Sequence, residues 1–342
     1  MHFTTSLVAT QSRHASCPHI AETESKQVIT SNDLLHLPIG SSLAYHFHTM
    51  LLFMNGSLKD AILPCLAFSM FGAFSGPVLG FEPQPSTDYV IKRSLCAALW
   101  IYIAVLLFNL NNQYSPESVA EDKINKPWRP IPAGRITSAQ TRRIFIMSCP
   151  MALLLTLWLG GFLPLAGLIF LSVWYNDWGG SDHSGISRNF LCAAGYSCFF
   201  LGTLEAQLGR PYNVLNPNSM GWILTLGCVI LTTIHAQDFR DEEGDKLRGR
   251  KTIQSAIGVP ASQWTLIIAI MFWTFYIPLQ LGMPFAWSLV SFCTGMHLVA
   301  RLFQAYTRRS LDRDLLVYKS WCFWFCSVVM LPWIKLRLAN KA

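Results

Sequence analysis

The sequence predicts an all-helical protein that crosses a lipid bilayer several times. Hydrophobic residues make up 52% of the 342 residues and charged residues only 13%, whereas a soluble domain carries about 25% charged residues. So few charges cannot cover a soluble surface of this size, and the mean hydropathy is +0.34. The apolar residues also form long continuous runs, which is typical of helices that face lipid.

Nine apolar segments follow a polar N-terminal stretch, and several approach the roughly 20 residues that span the hydrocarbon of a bilayer. Residues 1–40 are polar and aperiodic, which predicts a disordered cytosolic tail before a short amphipathic helix near Leu43–Met54. Residues 41–342 are expected to form one transmembrane domain. Its predicted spans are 60–80, 93–113, 141–159, 161–178, 189–207, 220–237, 262–281, 284–303 and 317–336. The third and fourth spans meet at Gly160-Gly161, which demands a tight hairpin.

The lysines and arginines indicate how this bundle lies in the membrane. Most of them fall in the loops after the second, fourth, sixth and eighth spans, which nine spans place on one side. Positive charge collects on the cytosolic side of membranes, so these loops and the N-terminal tail should be cytosolic. We expect a multi-pass protein of the endoplasmic reticulum membrane. The net charge of +7 is then a feature of topology, and no nucleic-acid partner is needed to explain it.

The segment after the sixth span, residues 238–252, reads DFRDEEGDKLRGRKT. Asp238 and Asp241 are three apart and Asp245 is four further on, so on a helix the three carboxylates share one face. Mg²⁺ binds a few carboxylates together with phosphate oxygens and would relieve their repulsion. The bases that follow supply donors for a diphosphate: Arg248, Arg250 and Lys251. The alternative is a solvated loop of mixed charge.

The segment after the second span combines the same ingredients in another order. Its candidate metal ligands are carboxylates and one amide oxygen: Asn112, Glu117, Glu121 and Asp122. Its candidate diphosphate ligands are Asn125, Lys126 and Arg129. Several prolines then stiffen the chain. The alternative is a proline-rich connector whose bases only fix the topology.

Both acidic segments follow even-numbered spans and therefore lie on the same face of the membrane. Carboxylates and bases that converge there form a site for Mg²⁺ and a polyanion. The apolar helices below could hold a hydrocarbon tail, so an isoprenoid diphosphate fits both halves. Before substrate binds, we expect these carboxylates at the ends of spans to be solvated.

Residues 122–136, DKINKPWRPIPAGRI, and residues 238–252 resemble the two aspartate-rich motifs of the UbiA superfamily of intramembrane prenyltransferases. The likeness covers about residues 43–336. It implies a nine-helix transmembrane bundle with a central cavity capped on the cytosolic side, and Mg²⁺-dependent ionisation of an isoprenoid diphosphate. It also implies catalytic roles for Asp122, Asp238 and Asp241.

The chain departs from the family pattern at two places. The family usually places aspartates at four-residue steps in its first motif, but Ser118 stands four residues before Asp122. The family also often has a tyrosine followed four residues later by a lysine after the fourth span. Here Tyr175 is followed by Gly179, so only the tyrosine carries over as a catalytic residue.

The first motif, which lacks the regular aspartate spacing, most resembles that of the fungal branch of the superfamily. This branch includes membrane-bound terpene cyclases of the bergamotene synthase and cyathane diterpene synthase type. The resemblance favours a cyclase of secondary metabolism that converts farnesyl or geranylgeranyl diphosphate to a hydrocarbon. No base for deprotonating an acceptor stands out in the sequence, which also favours cyclisation. The alternative is a prenyltransferase that uses an aromatic or other small acceptor. A transporter or scaffold would explain the spans but not the two acidic motifs.

Overall fold

The computed structural model describes residues 43–339, and the tail expected over residues 1–40 lies outside this range. All regular structure in the described range is helical. The first seven α-helices are α1 (Leu43–Met54), α2 (Leu63–Ala73), α3 (Gly76–Leu79), α4 (Thr87–Gln113), α5 (Pro116–Asn125), α6 (Ser138–Leu159) and α7 (Phe162–Asn176). They are followed by α8 (Gly180–His183), α9 (Gly185–Leu208), α10 (Pro217–Thr233), α11 (Asp238–Arg248), α12 (Ile253–Ile257), α13 (Val259–Gln280), α14 (Leu289–Thr307), α15 (Leu311–Val329) and α16 (Leu331–Ala339).

The number of membrane spans is lower than predicted when length and apolar composition decide. Each of the nine predicted segments lies mainly on a helix, but six helices within residues 43–339 are long and apolar enough to cross a membrane. A seventh is added if α15 and α16, which bend by 42° at their junction, form one span. The count of nine is therefore not established, whereas the all-helical membrane architecture is.

The first span begins earlier than the sequence suggested. The helix predicted near Leu43–Met54 is present, and it continues through a 3₁₀ turn, Asn55–Ser57, and a π turn, Leu58–Ile62, into α2. Residues 55–60 include Asn, Ser, Lys and Asp, and the backbone nevertheless remains helical through them. Irregular turns of this kind in long helices are frequent at functional sites.

The tight hairpin between α6 and α7 is confirmed at Gly160-Gly161. Both glycines have positive φ angles, 98° and 77°, that other residues adopt only with strain. A Cβ atom on Gly161 would lie 2.4 Å from the indole nitrogen of Trp100. The Gly161 amide donates to the Glu205 carboxylate at 2.9 Å, so Glu205 holds this turn in place.

Helix α9 lies in the middle of the bundle, where it packs against α2, α4, α7 and α10. Gly202 of α9 lets it approach α4 closely, because a Cβ atom there would lie 2.0 Å from the Trp100 ring. Trp100 is fully buried as a result. This central packing fixes the ends of α4, α7, α9 and α10, and these ends carry the candidate site.

Candidate active site

The two acidic motifs lie on neighbouring helices. The first motif forms α5, which begins after Ser115, whose side chain accepts from the Ser118 amide. The second forms α11 and packs directly against α5. The contact depends on Gly244, where a Cβ atom would lie 2.2 Å from the Asn125 side-chain nitrogen. That nitrogen donates to the Asp241 backbone carbonyl at 3.0 Å, so Asn125 joins the two motifs.

A cavity lies beneath this helix pair and extends into the bundle. Its empty volume is about 1120 Å³, including the open mouth. Eight residues predicted for the site line it: Asn112, Glu121, Asp122, Lys126, Arg129, Tyr175, Asp241 and Arg250. Residues of the two motifs that are more than 100 positions apart in the sequence therefore line one cavity, as predicted.

The inner part of the cavity is apolar and aromatic. Its walls come from α4, α7 and α9 and from the turn that follows α10: Val105, Phe108, Leu168, Leu171, Tyr196, Phe199 and Ile234. Phe199 packs edge-on against both Phe108 and Tyr196, with ring centroids 6.5 and 5.9 Å apart. The cavity therefore joins a charged end to an apolar end, as a molecule with a polyanionic head and a hydrocarbon tail requires.

Asp122 is held by one arginine. The Arg129 Nη1 atom donates to both Asp122 carboxylate oxygens at 2.8 Å, and the aspartate is 1% exposed. Burial raises the pKa of the Asp122 carboxyl, and the charge of Arg129 lowers it only in part, so this pKa stays above its ordinary value.

The carboxylates of the second motif are also engaged. The Lys126 ammonium lies 3.1 Å from Asp241 Oδ2, which links the two motifs a second time. Asp238 Oδ1 accepts from Arg188 at 2.6 Å, and the same guanidinium donates to the Tyr175 hydroxyl at 2.5 Å. Asp238 and Asp241 are both buried. The expectation that these carboxylates are solvated is therefore wrong, because buried bases replace water as their partners.

Arg248 and Arg250 form a second polar cluster beside the first. Both donate to Asp182 of α8, at 2.9 and 3.0 Å, and Arg250 also donates to Asp245 at 2.7 Å. Glu121 accepts from the same two arginines. Burial raises the pKa of the Asp182 carboxyl, but hydrogen bonds and charge from Arg248 and Arg250 outweigh this effect and hold the pKa below its usual value.

The remaining predicted residues are less central. Asn112 donates from its side chain to Asn176 at 2.8 Å, so its amide oxygen is the part left for a ligand. Glu117 and Lys251 are exposed and do not line the cavity. Asn125, Asp238, Asp245 and Arg248 stand behind the lining residues and contact them or their neighbours.

The donor set fits Mg²⁺ by its chemistry. Within residues 43–339, no three carboxylate, histidine or cysteine side chains are gathered closely enough to hold a metal ion, because arginines and a lysine lie between them. Two carboxylate oxygens of the second motif nevertheless lack hydrogen-bond partners and are shielded from water: Asp238 Oδ2 and Asp245 Oδ2. Such hard oxygens on one helix face are the ligands that Mg²⁺ prefers.

Sequence reasoning missed several residues of the site. Arg188 and Arg240 line the cavity, although their sequence positions indicated only a part in the positive charge of the cytosolic side. Asp60 also lines it, from the π turn of the first span, and Asp182 holds the arginine pair from α8. A signal was available for Asp60 and Arg188, because a charged residue inside or at the edge of an apolar span is a candidate functional residue.

Solved structures share this fold. A UbiA homolog from Archaeoglobus fulgidus, bound to GPP and Mg²⁺, matches with a TM-score of 0.55 over 82% of this chain and 99% of that chain. The sequence identity is 12%, so the likeness establishes the fold alone.

Curated relatives include cyclases and a transferase. The chain is 28% identical to the fumagillin beta-trans-bergamotene synthase of Aspergillus fumigatus over 86% of this chain and 95% of that protein. It is 32% identical to a diterpene cyclase of Hericium erinaceus over 54% of this chain and 62% of that protein. A polyprenyl transferase of Hericium erinaceus is 27% identical over 67% of this chain and 75% of that protein.

The family model for the UbiA prenyltransferase family matches residues 62–331, which include both acidic helices and run from the second half of the first span to the end of α15. The apolar helices, the paired acidic motifs and the two-part cavity agree with this match. The chain is therefore an integral membrane protein of the UbiA prenyltransferase family, an enzyme family that acts on prenyl substrates.

Proposed function

We propose that the chain is a Mg²⁺-dependent terpene cyclase that ionises farnesyl or geranylgeranyl diphosphate and closes it to a cyclic hydrocarbon. The observation that carries this proposal is the similarity to a bergamotene synthase over nearly that protein's whole length. The two-part cavity supports it, since one end suits a diphosphate and the other a folded hydrocarbon chain.

In this proposal the charged end binds the leaving group. Candidate metal ligands are Asn112, Glu117, Glu121, Asp122, Asp238, Asp241 and Asp245, and candidate diphosphate ligands are Asn125, Lys126, Arg129, Arg248 and Lys251. Bound Mg²⁺ supplies positive charge against the departing diphosphate. Lys126 and Arg129 line the cavity, and they would exchange carboxylate partners for diphosphate oxygens. Once they face the diphosphate, these donors stabilise the negative charge that develops on the leaving group.

The apolar end controls the fate of the allylic cation. Its aromatic faces stabilise positive charge, and its walls exclude the water that would capture the cation. Phe108, Tyr196 and Phe199 are packed against one another and so present fixed faces to the substrate. Tyr175 lies between the two ends, with its hydroxyl on Arg188 and its ring against Phe108.

Transfer of the prenyl group to an aromatic or other small acceptor is the second candidate. Similarity to a polyprenyl transferase supports it. Asp60 also lines the cavity, but one of its carboxylate oxygens is bonded to Tyr318 and the other is shielded from water, so it is not placed to take a proton from an acceptor.

Incubation of the full chain in membranes with Mg²⁺ and allylic diphosphates of increasing length separates the two functions. A cyclase releases diphosphate and a cyclic hydrocarbon with no acceptor present, and excess EDTA stops both. If no hydrocarbon forms, but a prenylated product appears once an aromatic acceptor is added, the chain is a prenyltransferase. Full turnover in EDTA would contradict the metal requirement.

A further inference from the structure

Arg240 differs from the other arginines around the charged end of the cavity. The others each donate to a carboxylate at 3.1 Å or less: Arg129, Arg188, Arg248 and Arg250. Within residues 43–339, Arg240 makes no hydrogen bond, and its nearest carboxylate contact is Nε to Asp241 Oδ1 at 3.5 Å. The Nε atom is shielded from water and has no hydrogen-bond partner. The guanidinium nevertheless lines the cavity.

An aromatic ring holds Arg240 instead. The guanidinium carbon lies 3.5 Å from the centroid of the Tyr318 ring, which belongs to α15. A cation stacked on an aromatic face is attracted by the electron density of the ring. This contact uses the flat face of the guanidinium and leaves the N–H donors at its edge uncommitted.

Asp60 fixes the ring in turn. The Tyr318 hydroxyl donates to Asp60 Oδ2 at 2.5 Å, and Asp60 belongs to the π turn of the first span. The Asp60 backbone carbonyl accepts from the Tyr196 hydroxyl at 2.9 Å, which anchors the turn. Asp60 Oδ1 is shielded from water. Since one oxygen is shielded and the other is bonded to Tyr318, this carboxylate acts on its protein neighbours and not on a substrate.

We propose that Asp60 and Tyr318 are positioning residues that hold the Arg240 guanidinium with its donors free for the diphosphate group of the substrate. This inference rests on the proposed function, which supplies the diphosphate. An arginine bound to a carboxylate must lose that partner before it can bind a phosphate oxygen. The contact of Arg240 with Asp241 is longer, at 3.5 Å, and uses Nε alone, so within the described part of the chain its two Nη groups have no carboxylate partner to lose and bind the incoming anion at a lower cost of reorganisation.

Equilibrium binding of inorganic diphosphate in the presence of Mg²⁺ tests this inference on the full chain in detergent or lipid discs. Arg240→Gln should weaken binding by roughly tenfold or more, because hydrogen bonds to a charged group are lost. Tyr318→Phe keeps the ring but releases it from Asp60, and should weaken binding by about threefold, as Asp60→Asn should. Tyr89→Phe is the matched control, since its hydroxyl binds the Leu208 carbonyl outside the site.

The decisive measurement is a double-mutant cycle. If Tyr318 acts through Arg240, Tyr318→Phe weakens binding in the wild-type background but has no further effect in the Arg240→Gln background. A purely structural role would lower the folded fraction and leave the dissociation constant unchanged. Equal effects in both backgrounds, or unchanged binding in Arg240→Gln, would overturn the inference. Should Asp60→Asn fail to fold, the Tyr318 cycle decides alone.

The outcome also separates this inference from the proposed function. A wild-type chain that shows the coupling but converts no allylic diphosphate would support the positioning role and refute the enzymatic proposal. A chain that forms hydrocarbon while Tyr318→Phe and Arg240→Gln act independently on binding would support the enzymatic proposal and refute the positioning role. Failure of the wild-type chain to bind inorganic diphosphate with Mg²⁺ would overturn the positioning role.

Discussion

Asp238 and Arg188 form a pair in which each residue depends on the other. Both are almost fully buried, and Arg188 also donates to Tyr175. Removing one partner of a buried ion pair leaves an uncompensated charge, which destabilises a protein by about 3–5 kcal/mol. Alanine at position 238 would therefore mix loss of function with loss of fold.

Asp238→Asn avoids this problem because its amide oxygen still accepts from Arg188. We expect it to lower the rate of diphosphate release roughly 100-fold or more, since a neutral amide would replace a carboxylate proposed to hold the Mg²⁺ ion that stabilises the leaving group. The measurement is diphosphate release from farnesyl diphosphate, normalised to folded protein. Asp88→Asn, on the exposed pair with Lys92, is the control and should leave the rate unchanged. A wild-type rate in Asp238→Asn would remove the second motif from the mechanism.

Tyr175 lies between the two ends of the cavity, so its hydroxyl and its ring should have separate effects. Tyr175→Phe removes one hydrogen bond to Arg188 and should slow diphosphate release by about tenfold at most. Tyr175→Leu also removes the ring and should redistribute the hydrocarbon products, because the surface against which the cation folds has changed. Asp122→Ala should instead lose all product. Gas chromatography of the products distinguishes these results. An unchanged product ratio in Tyr175→Leu would show that the Tyr175 ring does not guide the folding of the cation.

At the scale of elements, the contact between α5 and α11 leaves no room for a side chain at Gly244. Gly244→Ala places a methyl group against Asn125 and should push the two motifs apart, with a cost of about 1–3 kcal/mol and a loss of activity. Gly221→Ala is the matched control, because a Cβ atom there meets no atom within 4 Å. The melting temperature and the rate of product formation should both fall for Gly244→Ala and remain unchanged for Gly221→Ala. Equal melting temperatures for the two variants would show that the helices adjust.

Helix α8 is tied to the end of α11 by a titratable group. The pKa of Asp182 is lowered in the folded chain, so its stabilising effect is present above the unfolded pKa, about 3.9, and is lost as the pH falls through the lower folded value. Asp182→Asn should therefore lower the melting temperature at pH 7, and its difference from the wild type should shrink as the pH falls below about 3.9. A constant difference across this range would mean that the charge of Asp182 does not hold the two helices together.

At the scale of the whole molecule, the charge asymmetry predicts the orientation of the site. A protease site inserted after Lys251 should be cut from outside sealed microsomes, since this exposed position belongs to the face predicted to be cytosolic. A site at Arg210, between α9 and α10, should be cut only after detergent is added. The reverse pattern would place the acidic helices in the lumen.

Local pattern accounts for what the sequence predicted, and long-range contact accounts for what it missed. Asp238, Asp241 and Asp245 could be placed on one helix face from their spacing alone. The partners of Asp238 and Asp60 lie 50 and 258 residues away, and no periodicity links them. The first span was predicted to begin at residue 60, but irregular turns between residues 55 and 62 join the helix Leu43–Met54 to α2 and extend the span back to Leu43. The expectation that the carboxylates are solvated was wrong because bases that are distant in sequence contact them.

The hydrogen bond between Asp60 and Tyr318 also has a consequence for biogenesis. The ribosome makes the first span long before α15, because 258 residues separate the two partners. During synthesis the first span must therefore enter the membrane with an aspartate that has no tyrosine to bind. A charged residue at the centre of an inserting helix costs about 2.5–3.5 kcal/mol. The 31-residue length and apolar flanks of Leu43–Ala73 must offset this cost, and the bond can form only when the last helices arrive.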